Sequence, residues 1–276
     1  MEFNALRTLV YERFGINITE QKQGLVTSRL QQLLQAQGFA SFTEYYHFLR
    51  NDHTNQGLDE LINRISTNFS FFYRESVHFD FFSKVSLPEF VKRLRAKGSN
   101  DLRIWTAGCS TGEEPYMLIM LMMEYLGMEY QNWSAGILAT DISERVLTIA
   151  SEGVYPEDRV RQVPAALRQR YFKKAGPGMV QVADRVRQEI TLRRFNLMNT
   201  EFPFQKPFQM IFCRNVMIYF DKPTRDALIR RFHQALEPGG YLFIGHSETI
   251  GRDQELYRYV MPACYQKICG KTVALG

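Results

Sequence analysis

The sequence of 276 residues lacks long hydrophobic runs. Its longest apolar run, residues 116–123, is far shorter than the ~20 residues that a membrane-spanning helix needs. The amino terminus has the charge pattern of an amphipathic helix and not that of a secretion signal. These absences predict a cytoplasmic protein without membrane insertion.

Paired cysteines are also missing, because no C-x-x-C pattern joins the four cysteines Cys109, Cys213, Cys264 and Cys269. Such spacing is typical of reduced structural thiols, so we expect neither a disulfide nor a metal site. With 45% hydrophobic residues, the composition is that of a globular protein with a proper core. The net charge of +5 favours an acidic partner, either nucleic acid or protein.

Residues 1–65 carry apolar residues at helical spacing and no strand pattern, which predicts a small all-α domain. Ser41 with Glu44 three residues later has the pattern of a capping box at the start of the third of four helices. Residues 66–99 then form a linker that ends in a helix from residue 76 to residue 97. In it, Asn68, Ser70 and Arg74 alternate with aromatic residues, which suggests a segment that closes over a flat, polar ligand.

The stretch DLRIWTAGCSTGEEPY, residues 101–116, organises the rest of the chain. A buried strand followed by a glycine turn and a helix is the first unit of an open, doubly wound α/β sheet. Gly108 and Gly112 allow a ligand to approach the backbone at the carboxyl end of the strand. The turn is therefore the predicted cofactor position in a domain that covers residues 100–276.

Several interpretations of this turn are possible, including an ordinary turn with solvated glutamates. A dinucleotide site needs G-x-G-x-x-G, which is absent, and its pyrophosphate would be repelled by Glu113 and Glu114. G-x-S-x-G would make Ser110 an esterase nucleophile, with Asp221 and His246 in the required order but no oxyanion motif. S-adenosylmethionine (SAM) has an ammonium and a sulfonium group, which suit flanking carboxylates, and this interpretation is favoured.

Polar residues follow the later strands of the predicted sheet. Asp141 ends the second strand, where a carboxylate can accept hydrogen bonds from the ribose hydroxyls of a nucleoside. Asn196 follows the third strand, and Arg214-Asn215 follow the fourth. Residues 159–194 resemble an inserted antiparallel β element that holds most of the basic excess, and this surface is either solvated or a docking site for an acidic partner. Because of the charge, a nucleic-acid methyltransferase remains the rival hypothesis, although Arg214-Asn215-Val216 lacks the neighbouring proline-aromatic slot of base-modifying enzymes.

Six motifs in this order, TNFSFFYRE, GCSTGEEPY, ATDIS, FNL, IFCRNVMIYFD and GHSE, resemble the CheR-type chemoreceptor protein-glutamate methyltransferases. The resemblance covers nearly the whole chain. It implies a Rossmann-like, SAM-dependent methyltransferase domain with an inserted small antiparallel β-subdomain, preceded by a small all-α domain. It further implies methylation of glutamate side chains on the cytoplasmic domains of chemoreceptors, with S-adenosylhomocysteine (SAH) as the product, no metal and no nucleic acid.

Carried over to this sequence, the resemblance implies that Asn68, Ser70 and Arg74 contact the cofactor from the linker. Gly108 and Glu114 would hold its methionine end, Asp141 its ribose, and Asn196-Leu197 its adenine, with Arg214-Asn215 closing the pocket. Arg74 and Tyr219 are the predicted catalytic residues, and His246 is assigned a structural role. Two departures are Ser70, where the family commonly has threonine, and the glutamines that follow Arg29 in place of arginines.

The resemblance also implies that the β-subdomain can bind a pentapeptide at a receptor's carboxyl terminus. Gly176, Gly178 and the arginines between residues 185 and 194 would suit an added peptide strand with an acidic end. We expect the protein to be a monomer.

Overall fold

The computed structural model describes residues 2–66, 68–250 and 255–268. Cys269, one of the predicted reduced thiols, lies outside these residues, whereas Cys109, Cys213 and Cys264 are buried free thiols. Within the described part of the chain, no helix has the length and apolar character needed to cross a membrane.

Four helices form the amino-terminal unit, as predicted: α1 (Glu2–Phe14), α2 (Glu20–Gln37), α3 (Phe42–Asn51) and α4 (Gln56–Ile65). Their apolar faces share one core, in which Leu30, Leu61 and Ile62 are fully buried. The capping box at α3 is present, because the Glu44 N–H donates to Ser41 Oγ at 3.1 Å and Glu44 Oε2 accepts from the Ala40 N–H at 2.7 Å. The local sequence thus sets where this helix begins.

The linker leads into a long helical segment that is interrupted once. It consists of α5 (Ser76–Phe81), a π-helical turn (Phe82–Ser86) and α6 (Leu87–Ala96), where the sequence predicted one continuous helix. Phe82 and Ser86 are both buried, and the Ser86 hydroxyl lies 3.5 Å from the Phe82 carbonyl oxygen. The Phe82 ring lies against Phe212 of β7, so this turn packs on the main sheet.

Seven strands form the main sheet in the order β6-β2-β1-β7-β8-β10-β9. Neighbours from β6 to β8 are parallel, and β10 pairs antiparallel with both β8 and β9. The strands are β1 (Ile104–Ala107), β2 (Ile137–Asp141), β6 (Ile190–Arg194), β7 (Phe208–Cys213), β8 (Leu236–Ile244), β9 (Tyr257–Met261) and β10 (Cys264–Lys267).

Helices pack on both faces of the main sheet. The helix that follows the glycine turn, α7 (Glu113–Leu126), is buried along most of its length, which agrees with its almost continuous apolar sequence. The remaining helices are α8 (Glu144–Glu152), α9 (Ala165–Tyr171), α10 (Asp184–Arg187) and α11 (Lys222–Ala235). On the other face, Trp105 lies at the centre of five phenylalanine rings and donates from its indole N–H to Thr140 Oγ1 at 2.9 Å.

A separate three-stranded antiparallel sheet has the order β3-β5-β4, with β3 (Val154–Pro156), β4 (Phe172–Gly176) and β5 (Met179–Val182). It begins and ends earlier than the predicted insertion at residues 159–194. Residues 190–194 form β6, which pairs in parallel with β2 in the main sheet. The predicted bounds are wrong for two reasons. With three residues, β3 is too short to show an alternation of apolar and polar residues. As an edge strand, β6 alternates apolar and polar residues in the same way as a strand of a small hairpin.

Candidate cofactor site at the carboxyl edge of the sheet

A cavity of about 360 Å³ opens at the carboxyl ends of β1, β2 and β7. Its walls also come from the linker and from the amino-terminal helical unit, through Phe14 and Ile16. The cavity is lined by all eleven site residues that the sequence predicted: Asn68, Ser70, Arg74, Gly108, Glu114, Asp141, Asn196, Leu197, Arg214, Asn215 and Tyr219. The structure thus brings these residues together, and their individual roles remain predictions.

The glycine turn forms one wall of the cavity. Gly108 has a φ of +86°, and a Cβ atom at this position would lie 2.4 Å from Val216 Cγ2. The backbone N–H groups of Gly108 and Cys109 both donate to the Thr140 carbonyl oxygen, at 2.7 and 2.9 Å. Ser110 also has a left-handed conformation, with a φ of 49°. The turn therefore needs glycine at residue 108 for both conformation and space.

Asp141 ties the turns that follow β1 and β2 to each other. Its Oδ2 accepts from the Ser110 N–H at 2.9 Å, and its Oδ1 accepts from the Ser143 N–H at 3.0 Å. Burial raises the pKa of this carboxyl group, and the two backbone N–H groups oppose the rise. Each carboxylate oxygen has a second lone pair, so Asp141 can still accept hydrogen bonds from two ligand hydroxyls.

A buried ion pair joins α7 to the end of β7. Arg214 Nη1 lies 2.7 Å from Glu114 Oε2, and the side chain of Arg214 is only 4% exposed. Burial raises the pKa of Glu114, and the positive charge of Arg214 acts against that rise. Arg214 Nη2 also donates to the carbonyl oxygen of Arg74, which fastens the linker to the sheet.

The linker is held against the glycine turn by its backbone. The Ser110 hydroxyl donates to the Asn68 carbonyl oxygen at 3.2 Å, and Arg159 donates to the Ser70 carbonyl oxygen. Arg74 Nη1 donates to the Phe69 carbonyl oxygen at 2.9 Å. The Ser110 hydroxyl thus contacts a backbone oxygen and no imidazole, so the geometry lends no support to the esterase interpretation.

Asn196 connects the cavity with the helical unit. Its amide donates to the Arg13 carbonyl oxygen at 2.7 Å, and its Oδ1 accepts from the Met198 N–H at 2.9 Å. Leu197 beside it is buried. Because both ends of the Asn196 amide are engaged, the contact with adenine that the sequence predicted would involve the backbone or the second amide hydrogen of this residue.

Tyr219 lies at the mouth of the cavity, in a 3₁₀ turn formed by Met217–Tyr219. The Asn17 N–H donates to its carbonyl oxygen at 2.8 Å, and Lys22 Nζ lies 5.3 Å from the centre of its ring. The helical unit therefore supports the segment that carries Tyr219.

Three carboxylates organise the site in ways that sequence reasoning did not indicate: the buried Glu113 and Glu248, and the partly buried Glu75. Glu248 accepts from the N–H groups of Gly245, Asn215 and Ile218 at 2.5, 3.0 and 3.1 Å. Glu113 accepts from the Thr111 hydroxyl at 2.7 and 2.8 Å, and Glu75 binds Arg214. The motifs contained all three, but their partners are distant in the sequence except for Thr111 and Gly245, so no local pattern indicated these roles.

The donors and acceptors of the cavity fit SAM. Arg214 Nε is buried and has no hydrogen-bond partner among the described residues, so it can donate to an anionic group such as the cofactor carboxylate. Glu114 can accept from an ammonium group, and Asp141 has free lone pairs for hydroxyls. Apolar side chains, among them Ile142 and Leu197, supply flat surface for a base.

Comparison with known proteins assigns the helical unit and the sheet domain to the same family. Residues 68–264 match the family model described as "CheR methyltransferase, SAM binding domain", and residues 1–66 match "CheR methyltransferase, all-alpha domain". Fold, cavity and matches define a SAM-dependent methyltransferase with an all-α amino-terminal domain. The chain belongs to the CheR methyltransferase family, which confirms the resemblance seen in the motifs.

Curated relatives align over nearly the whole chain. The chain is 46% identical to the chemotaxis protein methyltransferase of Borreliella burgdorferi, over 96% of this chain and 94% of that protein. It is 37% identical to chemotaxis protein methyltransferase 2 of Pseudomonas aeruginosa, over 96% and 92% of the two chains. The chemotaxis protein methyltransferase of Escherichia coli is 34% identical, over 90% and 84%.

Among solved structures, the glycopeptide N-methyltransferase MtfA complexed with sinefungin is 18% identical, with a TM-score of 0.32. The alignment covers 59% of this chain and 48% of that chain. No conclusion about this protein rests on so partial a superposition.

Proposed function

We propose that this protein transfers the methyl group of SAM to glutamate side chains on the cytoplasmic domains of chemoreceptors, giving glutamyl methyl esters. The observation that carries the proposal is the cavity in which the linker, the glycine turn, Asp141 and the Arg214–Glu114 pair meet. The relatives named chemotaxis protein methyltransferase, which align along nearly the full chain, support the choice of acceptor.

An acceptor glutamate needs no general base, because its pKa of ~4.3 leaves it ionised at neutral pH. When bound, SAM supplies a sulfonium methyl group: its carbon–sulfur bond breaks as the new carbon–oxygen bond forms, and SAH leaves. The protein's contribution is positioning, which is worth up to ~7–11 kcal/mol in favourable cases. Arg74 would bind the carboxylate of the acceptor or of the cofactor, and Tyr219 would direct the acceptor oxygen.

The other predicted residues would hold the cofactor in place. Asp141 would accept from the ribose hydroxyls, and Glu114 together with Gly108 would bind the methionine end. The remaining assignments are the linker contacts of Asn68 and Ser70, the adenine contacts of Asn196 and Leu197, and closure of the pocket by Arg214 and Asn215.

We assign a helical domain to residues 1–65, a linker to residues 66–99 and the methyltransferase domain to residues 100–276. The small antiparallel sheet at residues 154–182 is the proposed site for a receptor's carboxyl-terminal pentapeptide, which would add as a strand beside β4. Arg185 and Arg187 lie near this sheet, whereas Arg193 and Arg194 belong to β6 in the main sheet. We further propose that the protein acts in the cytoplasm as a monomer.

Isothermal titration with SAH tests the cofactor class, with NAD as the control. Micromolar affinity for SAH and no heat with NAD is the expected result. A protein that binds NAD and not SAH would contradict the assignment.

Transfer of radiolabelled methyl groups to receptor cytoplasmic fragments tests the acceptor. Label on a glutamyl ester is released as volatile methanol in mild base, whereas label on a nucleic-acid base is not. Base-labile label on the receptor fragment is expected. Label that appears only on added RNA or DNA would instead support the nucleic-acid hypothesis. Titration with the receptor's carboxyl-terminal peptide tests the proposed peptide site on the small sheet. Light scattering of the free protein tests whether it is a monomer.

A further inference from the structure

Glu75 lies directly behind Arg214 and does not line the cavity. Its Oε2 is 3.1 Å from Arg214 Nη2, and its Oε1 accepts from Asn215 Nδ2 and from the His246 backbone N–H, both at 3.3 Å. The side chain is 13% exposed. Glu75 therefore joins the linker to the segment after β7, through a guanidinium nitrogen other than the one that Glu114 contacts.

The charged side chains that line the cavity cancel one another. Two of them are arginines, Arg74 and Arg214, and two are carboxylates, Glu114 and Asp141. Burial acts to raise the pKa of Glu75, but the charge and hydrogen bond of Arg214 outweigh it, and the pKa is lowered below its usual value. Glu75 is thus ionised at neutral pH, and it places a negative charge directly against Arg214.

Two imidazoles face Glu75, and the nearer one, that of His78, does not neutralise the carboxylate. Its Nε2 lies 3.2 Å from the Pro262 carbonyl oxygen, which can only accept, so Nε2 carries the hydrogen. Burial and the charge of Arg214 lower the pKa of His78 to about 4. At neutral pH the buried Nδ1 therefore faces Glu75 Oε2 at 3.6 Å without a proton.

The same three side chains, Glu75, His78 and His246, offer possible metal-ligand atoms within 4.8 Å of one another. However, the Glu75 oxygen that faces both imidazoles is the one that Arg214 already contacts. A divalent ion there would lie against a guanidinium group, which is electrostatically unfavourable. The positive partner of Glu75 is thus Arg214.

We propose that Glu75 is a specificity-determining residue of the cofactor site: it positions Arg214 and supplies a negative charge that favours the sulfonium donor over the neutral sulfide product. The inference rests on the proposed function. SAM carries one more positive charge than SAH, so loss of the Glu75 charge weakens binding of SAM more than binding of SAH. A role confined to packing would weaken both equally.

Isothermal titration with SAM and with SAH, on the full chain, tests this. Glu75→Gln keeps the shape and removes the charge, and we expect the ratio of SAM to SAH affinity to fall about tenfold. Glu75→Asp keeps the charge and is expected to leave the ratio within about twofold, whatever it does to the two affinities. Glu89→Gln is the matched control, because Glu89 accepts from Tyr241 outside the cavity.

An unchanged ratio in Glu75→Gln, with both affinities reduced alike, would overturn the proposal. If circular dichroism shows that Glu75→Gln does not fold, Glu75→Asp is the test. This variant keeps the charge, so a changed ratio of SAM to SAH affinity would also overturn the proposal. A wild-type protein that binds neither ligand would instead contradict the proposed function, so the two failures are distinguishable.

Discussion

The floor and the rim of the cavity are built in different ways. The floor, defined by Gly108, Glu114, Asp141 and Arg214, consists of groups that other parts of the protein already hold by hydrogen bonds or ion pairs. The rim, defined by Phe69, Arg74, Ile218 and Tyr219, is more open: Phe69 is 63% exposed and Ile218 is 41% exposed.

This difference matches the sizes of the two proposed ligands. A small cofactor is best bound by groups that need no reordering, because each immobilised side chain would otherwise reduce affinity. A receptor helix is large and needs accessible contact surface at the point where it presents its glutamate. We therefore expect substitutions in the floor to affect cofactor affinity, and substitutions in the rim to affect turnover.

The largest expected effect is in the floor, at Asp141. Asp141→Ala removes the acceptor for the ribose hydroxyls and leaves two backbone N–H groups without partners: that of the buried Ser143, at about 1–3 kcal/mol, and that of the partly buried Ser110. We expect SAH binding to be lost in isothermal titration. Asp141→Asn, which keeps one carbonyl acceptor, should retain part of the affinity. Normal SAH affinity in Asp141→Ala would show that the floor is wrongly assigned.

Gly108→Ala is expected to reduce SAH affinity by about tenfold or more. The new Cβ atom would lie 2.4 Å from Val216 Cγ2 at a φ of +86°, so that the turn must shift. Gly38→Ala is a matched control, since Gly38 has a φ of +79° and nothing lies within 4 Å of the added Cβ atom. The control should lower the melting temperature and leave SAH affinity unchanged. Equal losses of affinity in the two variants would refute a local effect on the floor.

At the rim, Tyr219→Phe should lower the turnover number about fivefold while SAH affinity stays within about twofold. The change removes only a hydroxyl that would direct the acceptor oxygen, an interaction of about 1 kcal/mol. The measurement pairs methyl transfer to a receptor fragment with titration of SAH. Tyr259→Phe, on a side chain that is 61% exposed, is the control. If Tyr219→Phe loses SAH affinity and turnover together, Tyr219 binds the cofactor and belongs to the floor, which would contradict its assignment to the rim.

The smallest effect on ligand binding is expected at His78, which lies near Arg214 outside the cavity and acts on stability. Burial lowers its pKa to about 4 in the folded protein, from an ordinary value of 6.5, so between these values the unfolded chain binds a proton that the folded chain does not. The free energy of unfolding should therefore fall as the pH is lowered from about 6.5 towards 4, by on the order of 3 kcal/mol. In urea unfolding, His78→Asn should reduce the dependence of the free energy of unfolding on pH. The dependence that persists in this variant is expected to come from His233, whose pKa is also lowered to about 4. The exposed His53→Asn serves as the control, and an unchanged pH dependence in His78→Asn would contradict the assignment.

Much of the floor could be predicted from sequence because its residues follow strands. Gly108, Asp141 and Arg214 each come directly after a run that reads as a buried strand, and the carboxyl ends of parallel strands meet at one edge of a sheet. The same reasoning failed for the bounds of the small sheet, because β3 has three residues and β6 joins the main sheet.

Glu75 shows what local patterns cannot reveal. It belongs to the linker motif, but its partner Arg214 is 139 residues away in the sequence. Its backbone has a left-handed conformation, with a φ of 56°, which a non-glycine residue adopts only when its surroundings hold it there. Phe14 and Ile16 line the cavity for a similar reason, since the helical unit docks beside the sheet through the pairing of Ile16 with Phe220.

The sequence by itself determined the helices of the amino-terminal unit, the order of strand, glycine turn and helix, and the residue types at the strand ends. These features depend on periodicity, capping and backbone conformation, which act over a few residues. Only the tertiary structure decided that the linker brings Glu75 against Arg214, and that Arg214 also pairs with Glu114 in the wall of the cavity. Electrostatic interactions depend on distance in space and on burial, and neither quantity can be derived from spacing along the chain.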